Sequence, residues 1–409
     1  MKPSAPCLLA GIALAVVILF LSGCATAPQT PKVQVQQRKL VTESTLFYSG
    51  LTYAGAKDKI AARYPYTLKA DAMLDGGLGK VCSDYFAALS GEVQADGMRV
   101  VELNPQTKLK LGLAHSHDAP LAFSVGLTQE VVLREKMQAQ GTVKKPYKLI
   151  VSLYFNLLVL DFSEKEVVTA LPFTVTKELT GERPFSDDDI ASLIKEMFTG
   201  AGEKDFAARL GQNLPYVGGR GKNMARMQVK SVALGDHVSQ YMPEDLNQGA
   251  SRDTSYEEQL GNQLTGIFGT VANVAMLPFA KDDQNAQMAL CLDKGDQVNF
   301  TIPSPSYTLC FELNGIRKTV GEQNAVRTIW AYAADGSASI RMPLPDGPDK
   351  ILYTGNSSAN IKKYQVNSVK DMDEFPTIAK LLELLFQQIA DAARKDAGAR
   401  ANAIDKCSL

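Results

Sequence analysis

Residues 147–162 read YKLIVSLYFNLLVLDF. Alternate positions from Leu149 to Val159 are apolar, and Ile150, Tyr154, Leu158 and Leu160 make the second face apolar as well. A strand apolar on both faces needs cover on both sides, so the run predicts a central strand. Ser163-Glu164-Lys165-Glu166 turns it into VVTALPFTV, which completes a hairpin. Ser186-Asp187-Asp188-Asp189 then precedes IASLIKEMF. Ser186 suits an N-cap, and the acidic residues suit the positive end of a helix dipole, which we prefer to a metal site there.

Upstream, Leu78, Val81, Cys82, Tyr85, Phe86 and Leu89 recur at helical spacing within residues 76–91. MRVVELN follows as a strand, and LKLGLA and LAFSVGLTQEVVL alternate in strand fashion. Together these elements predict an α/β domain with a mixed sheet over residues 41–215. GLGKVCSDYFAALSGEVQADGMRVVEL, followed by the long hairpin with its acidic turn, resembles the periplasmic α/β domain of curli-secretion and TolB-type proteins. The resemblance spans at most residues 40–215, is one of element order, and implies a periplasmic setting.

Downstream, PYVGGRGKN at 215–223 is a Pro/Gly break that marks a boundary. A strand, RMQVKSVALGDHV, opens the connecting region 216–285. Within that region, residues 259–280 (QLGNQLTGIFGTVANVAMLPFA) carry no charge and follow Ser255 and Glu258 at capping-box spacing. We read them as a buried helix in which Gly261, Gly266 and Gly269 admit a close neighbour. A subunit-contact helix and a membrane-inserting segment are the alternatives. Pro278 is expected to end the helix.

From 286 to 370 the chain reads as seven short strands, with Asp335-Gly336 as a hairpin turn. This predicts a small antiparallel sandwich or barrel. Residues 371–409 close the chain with an amphipathic helix, Pro376 in its first turn and Ile378, Leu381, Leu382, Leu385, Ile389 and Ala392 along one side. The expected class is α+β and multidomain.

The N-terminus determines where these units reside. Lys2 precedes the 14-residue apolar run Leu8–Leu21, too short for a spanning helix, and Leu21-Ser22-Gly23-Cys24 closes it. That ending resembles the lipobox of bacterial lipoproteins, which implies cleavage before Cys24 and a diacylglycerol on its thiol. Residues 1–23 are then the signal peptide. Residues 24–40, rich in Pro and Gln, are a lipidated tether. Ala25, where an inner-membrane signal would place Asp, implies by the same resemblance the outer membrane, with the protein facing the periplasm.

The charges are nearly balanced, 43 Lys plus Arg against 44 Asp plus Glu, which argues against a nucleic-acid binder, since that would need a concentrated basic face. Once Cys7 leaves with the signal and Cys24 is lipidated, Cys82, Cys291, Cys310 and Cys407 remain. A Cys291–Cys310 bridge is the first choice in an oxidising compartment, with two buried free thiols the alternative.

Three motifs could carry chemistry. Ser192 and Lys195 have the S-x-x-K spacing of serine–lysine acyl enzymes, without the companion S-D-N and K-T-G elements. His115, His117 and Asp118 could approach a metal, yet only His237 remains elsewhere to complete a ligand set. Gly218–Asn223 superficially resembles a phosphate loop but has Tyr216 and Asn223 at the positions that need Gly and Ser or Thr. No cofactor is implied. The expected function is a non-catalytic envelope scaffold or assembly factor with a protein partner or further copies of itself. A periplasmic serine hydrolase, or a ligand-binding module in the C-terminal β region, is the alternative.

Overall fold

The computed structural model describes residues 44–89, 98–102, 121–136, 146–216, 224–235, 238–241, 252–280, 287–292, 296–366 and 374–408. The hairpin read from 147–175 is its centrepiece. Strand β4 (Tyr147–Asp161) pairs antiparallel with β3 (Ala122–Lys136) and with β5 (Glu166–Gly181). Every residue of β4 except Tyr147 and Tyr154 is buried, as a strand covered on both faces requires. Lys165, at φ 52°, makes the turn.

Beside β3 lies β1 (Ser44–Ala54), parallel to it, and beyond β1 lies β2 (Met98–Glu102), parallel to β1. Beyond β5 come β8 (Gln297–Thr301) and β7 (Gln287–Leu292). β7 also pairs with the end of β1, so the seven-stranded sheet curls back on itself around Leu158, Leu160, Val167, Ala170, Leu290 and Phe300. The two short strands β7 and β8, which follow the connecting region in sequence, thus hydrogen-bond into the first sheet.

One face of this sheet is covered by α1 (Pro65–Asp71), α2 (Gly77–Leu89), α3 (Asp187–Thr199) and α4 (Phe206–Asn213). An aromatic cluster joins them to the strands: the Phe155 ring lies 5.1 Å from Phe173 and 5.2 Å from Phe206, and Phe198 lies 4.7 Å from Phe206. Each such pair adds about 0.5–1.5 kcal/mol beyond its buried area. Helix α3 starts with a full capping box, in which Ser186 accepts from the Asp189 N–H and the Asp189 carboxylate accepts from the Ser186 N–H. The three aspartates have three different cationic partners, Arg134 for Asp187, Lys69 for Asp188 and Arg183 for Asp189. Glu130, buried on β3, accepts from Tyr66 N, Thr67 N and Thr67 Oγ1 and so supplies the cap that α1 lacks in its own sequence. Burial raises the Glu130 carboxyl pKa, against the pull of those hydrogen bonds.

The opposite face meets α5 (Arg252–Val271). This is the uncharged segment, and it is buried. A Cβ on Gly266 would lie 2.5 Å from the Pro172 carbonyl oxygen, and one on Gly269 would lie 2.6 Å from Leu171. A Cβ on Gly261 would lie 2.5 Å from the Phe279 ring. The three glycines therefore admit a strand on one side and the returning chain on the other. No described helix is long and apolar enough to cross a membrane. The boundaries differ from expectation. The helix begins at Arg252, so Ser255 and Glu258 lie inside it, and it ends at Val271, well before Pro278. Asn273, at φ 58°, redirects the chain into an extended link. Met276 O accepts from Ala170 N and Thr169 Oγ1, Ala275 O accepts from Met227 N, and Ala275 N donates to Cys407 O. These bonds to β5, the next sheet and the chain's end outweigh a further helical turn.

The second sheet has the order β11-β10-β9-β6, with β6 at Met227–Leu234, β9 at Tyr307–Gln323, β10 at Arg327–Met342 and β11 at Lys350–Val366. Helix α6 (Phe375–Lys395) packs on it, burying Ile378, Leu381, Leu382, Leu385 and Ile389, with Ala393 in place of Ala392 as the last apolar contact. The α+β class is thus as read from the sequence, while the C-terminal strands form a single sheet backed by α5 and α6. Asp335-Gly336 is not a turn. It lies mid-strand in β10, where Gly336 leaves room for the Phe311 ring (2.8 Å from a Cβ placed there) and Asp335 bonds Arg317 and Ser358 on the two flanking strands. Residues 41–409 form one compact unit.

Candidate interaction surface

Among the described residues, the second sheet has helices on one face only, and its long strand β11 has no strand beyond it. Along β10, Tyr332, Ala334, Ala338 and Ile340 point into the core. The small Ala334, Gly336 and Ala338 let the aromatic layer close over them, with the Phe311 and Phe386 rings edge-on at 5.0 Å. The alternate positions, from Ala331 and Ala333 to Ser337 and Ser339, form the outer face. On β11 the outward set Thr354, Asn356, Ser358, Asn360, Lys362 and Tyr364 is exposed throughout.

At the β9–β10 turn this sheet carries an apolar tip. Val326 is 69% exposed, Tyr364 64% and Val320 50%. Cations flank them: the Arg327 guanidinium lies 5.8 Å from the Tyr364 ring, and the Lys318 ammonium 4.1 Å above Trp330. Trp330 Nε1 donates to Gln365 Oε1 at 2.6 Å, and Lys318 is ion-paired to Glu374 at the start of α6. The tip is therefore held rigidly by its own sheet. Val320, opposite Trp330, lies on the α6 side of the sheet, and Tyr364, opposite Ile329, lies on its outer side, so exposed apolar side chains flank the Val326 turn on both faces, which is a composition found at contact surfaces.

A second feature is a cleft of about 200 Å³ lined by Arg134, Lys136, Tyr147, Lys148, Pro184 and Phe185. Two of its cations are committed, Arg134 to Asp187 and Lys148 to Glu178, while Lys136 rests over the Tyr147 ring. That leaves little uncompensated charge for an anion.

The residues singled out in the sequence fall as follows. Cys24, His115, His117 and Asp118 lie outside the described residues, as do His237 and Gly218–Asn223. Ser192 is exposed on α3, and no hydrogen bond among the described residues joins it to Lys195. Cys291 and Cys310 are not bridged. Cys291 lies on β7 opposite Tyr53 and Gln297, whereas Cys310 lies on β9 opposite Ser339. They belong to different sheets, because β7 turns back to close the first sheet and β9 opens the second. Cys82 and Cys407 are buried, and burial pushes the Cys407 thiol up to about 12. Among the described residues no group of three His, Cys, Asp or Glu side chains is placed to hold a metal. The tip and the β11 edge were missed as sites because the sequence reads there as ordinary short strands; the uncharged run between Lys350 and Lys362 was the available signal.

No protein-family model matches this sequence, and no curated protein matches it. Among solved structures, the hypothetical protein CT253 from Chlamydia trachomatis is 9% identical with a TM-score of 0.25, over 44% of this chain and 99% of that one. A minor lipoprotein from Acinetobacter baumannii is 12% identical with a TM-score of 0.23, over 44% of this chain and 93% of that one. A protein described as a neuraminyllactose-binding hemagglutinin homolog, from Helicobacter pylori, is 8% identical with a TM-score of 0.26, over 44% and 92%. Likenesses this distant assign this chain neither a family nor a function.

Proposed function

We propose that this protein is a non-catalytic lipoprotein of the outer membrane, anchored through Cys24 and facing the periplasm, that scaffolds or assembles an envelope structure. Its working surface is the second sheet. The lipobox Leu21-Ser22-Gly23-Cys24 and the tether behind it support the anchor. The observation that carries the binding role is the exposed apolar tip around Val326, with Tyr364 on the outer face and Val320 on the other, at the end of a sheet whose last strand has no neighbour beyond it among the described residues. A surface of this kind is expected where a protein meets another protein. A hydrolase built on Ser192 and Lys195 gains no support from the geometry, since Ser192 faces solvent on a helix.

The test is labelling with palmitate and membrane fractionation of the wild type and Cys24→Ala, followed by pull-down from solubilised outer membranes. The expected result is lipid label lost in Cys24→Ala and a complex lost in Val326→Asp combined with Tyr364→Asp. A wild-type chain that takes up no lipid, or a complex indifferent to the tip, would overturn the reading.

A further inference from the structure

Strand β11 ends the second sheet, and among the described residues its outer edge has no strand beside it. Proteins usually blunt such an edge with charge, proline, short length or a bulge. Here the bulge comes at Leu352, between the Tyr353–Ile340 and Ile351–Arg341 pairs, and the lysines stand at 350, 362 and 363. Between them YTGNSSANI, Tyr353–Ile361, runs for nine residues with no charge and no proline. That regular length is about 30 Å of open backbone donors and acceptors.

We propose that this edge pairs with the same edge of a second copy of this chain, antiparallel about a two-fold axis through Ser357, joining two four-stranded sheets into one of eight strands. The stretch is complementary to itself. On the α6 face, Tyr353 meets Ile361 of the second copy, Gly355 meets Ala359, and Ser357 meets its own counterpart. Tyr353 and Ile361 are already packed against the core yet only partly buried, and the pairing covers them twice. On the outer face Thr354 meets Asn360 and Asn356 meets Ser358, so hydroxyls and amides face one another with no like charges opposed. An axis through Asn356 instead would set Lys350 against Lys362. Because the contact uses one patch twice, it closes at the dimer. The proposal rests on the second sheet being the working surface, but it is read in purified protein. A failure of membrane anchoring leaves it standing, and a monomeric chain leaves the anchor standing.

The experiment is sedimentation velocity of the full chain in mild detergent, with cysteine cross-linking under mild oxidation and the wild type as the control for native thiols. The expected result is a dimer that Ser357→Cys locks by a disulfide. Thr354→Cys alone should not lock it, being about 20 Å from its counterpart, whereas Thr354→Cys with Asn360→Cys should. Asn356→Lys with Ser358→Lys opposes two pairs of like charges and should weaken association about 30-fold. Both positions are exposed, so the circular-dichroism spectrum should not change, and Tm should fall only slightly, through loss of the Ser358–Asp335 hydrogen bond. A monomeric wild type, a dimer indifferent to the lysines, or cross-linking through Thr354→Cys alone would each overturn the proposal. So would a pure chain that stays monomeric while its β11 edge captures a strand of another protein.

Discussion

The two sheets solve the problem of burial in opposite ways. The first has helices α1 to α4 on one face, α5 on the other, and a curl that lets β7 meet β1, so that β4 at its centre is buried on both sides. The second is covered on one face by α5 and α6, and among the described residues its outer face is only partly buried along β10 and exposed along β11 and at the tip. The sequences reflect this. β4 carries apolar residues on both faces, broken only by Lys148, Ser152, Asn156 and Asp161, whereas β10 and β11 alternate core residues with Ala, Ser, Asn and Thr. The lesson is one of division: the first sheet is enclosed by its own chain, and the second keeps exposed side chains on its outer strand and at its tip.

That comparison can be broken most directly in the first core. Phe155→Ala removes a ring that touches Phe173, Phe198 and Phe206, and should cost about 3–5 kcal/mol in urea unfolding. A loss below 1 kcal/mol would mean that the first sheet is not enclosed in this way. Next, Gly266→Val drives a side chain into the Pro172 carbonyl and should cost about 1–3 kcal/mol. Gly315→Ala, in open space on β9, is the control and should change little. Ser186→Ala removes the α3 cap for about 1 kcal/mol.

A pH series sharpens the same helix start. Arg183 and the Ser186 bonds hold the Asp189 carboxyl well below its ordinary value of 3.8. A depressed carboxyl contributes stability above the unfolded value and loses it as the pH falls toward the folded one. The advantage of wild type over Asp189→Asn should therefore be full at neutral pH and shrink below about pH 4. Urea midpoints measured across that range will show it, and a constant gap would rule it out. Smallest of all, Tyr364→Ser on the second sheet should shift stability by less than about 0.5 kcal/mol while weakening partner binding. A large loss of stability there would make the tip part of the core.

Much of the first sheet was legible because its signals are local. The hairpin of β4 and β5 follows from a doubly apolar run and an acidic turn, and the start of α3 from Ser186 and three acids. The burial of α5 was legible from its missing charges and spaced glycines. Its ends were not, because Asn273 and the link through Met276 owe their conformation to bonds with β5, β6 and the C-terminal residues. Asp335-Gly336 misled for the same kind of reason. A pair that ordinarily turns a hairpin was held extended by Arg317 and Ser358 on either side and by Phe311, which needs the missing Cβ.

By itself the sequence determined the α+β class and the identity of the long elements, and it carries in Leu21-Ser22-Gly23-Cys24 the resemblance to a lipobox on which the proposed anchor rests. These rest on periodicity, capping chemistry and a short contiguous motif, all of which act within a few residues. Only the tertiary structure decided that β7 and β8 close the first sheet, that Cys291 and Cys310 stay apart, and that β11 is left as an open edge. Strand order is set by hydrogen bonds between segments distant in the chain, and no single stretch of residues encodes which edge remains unpaired.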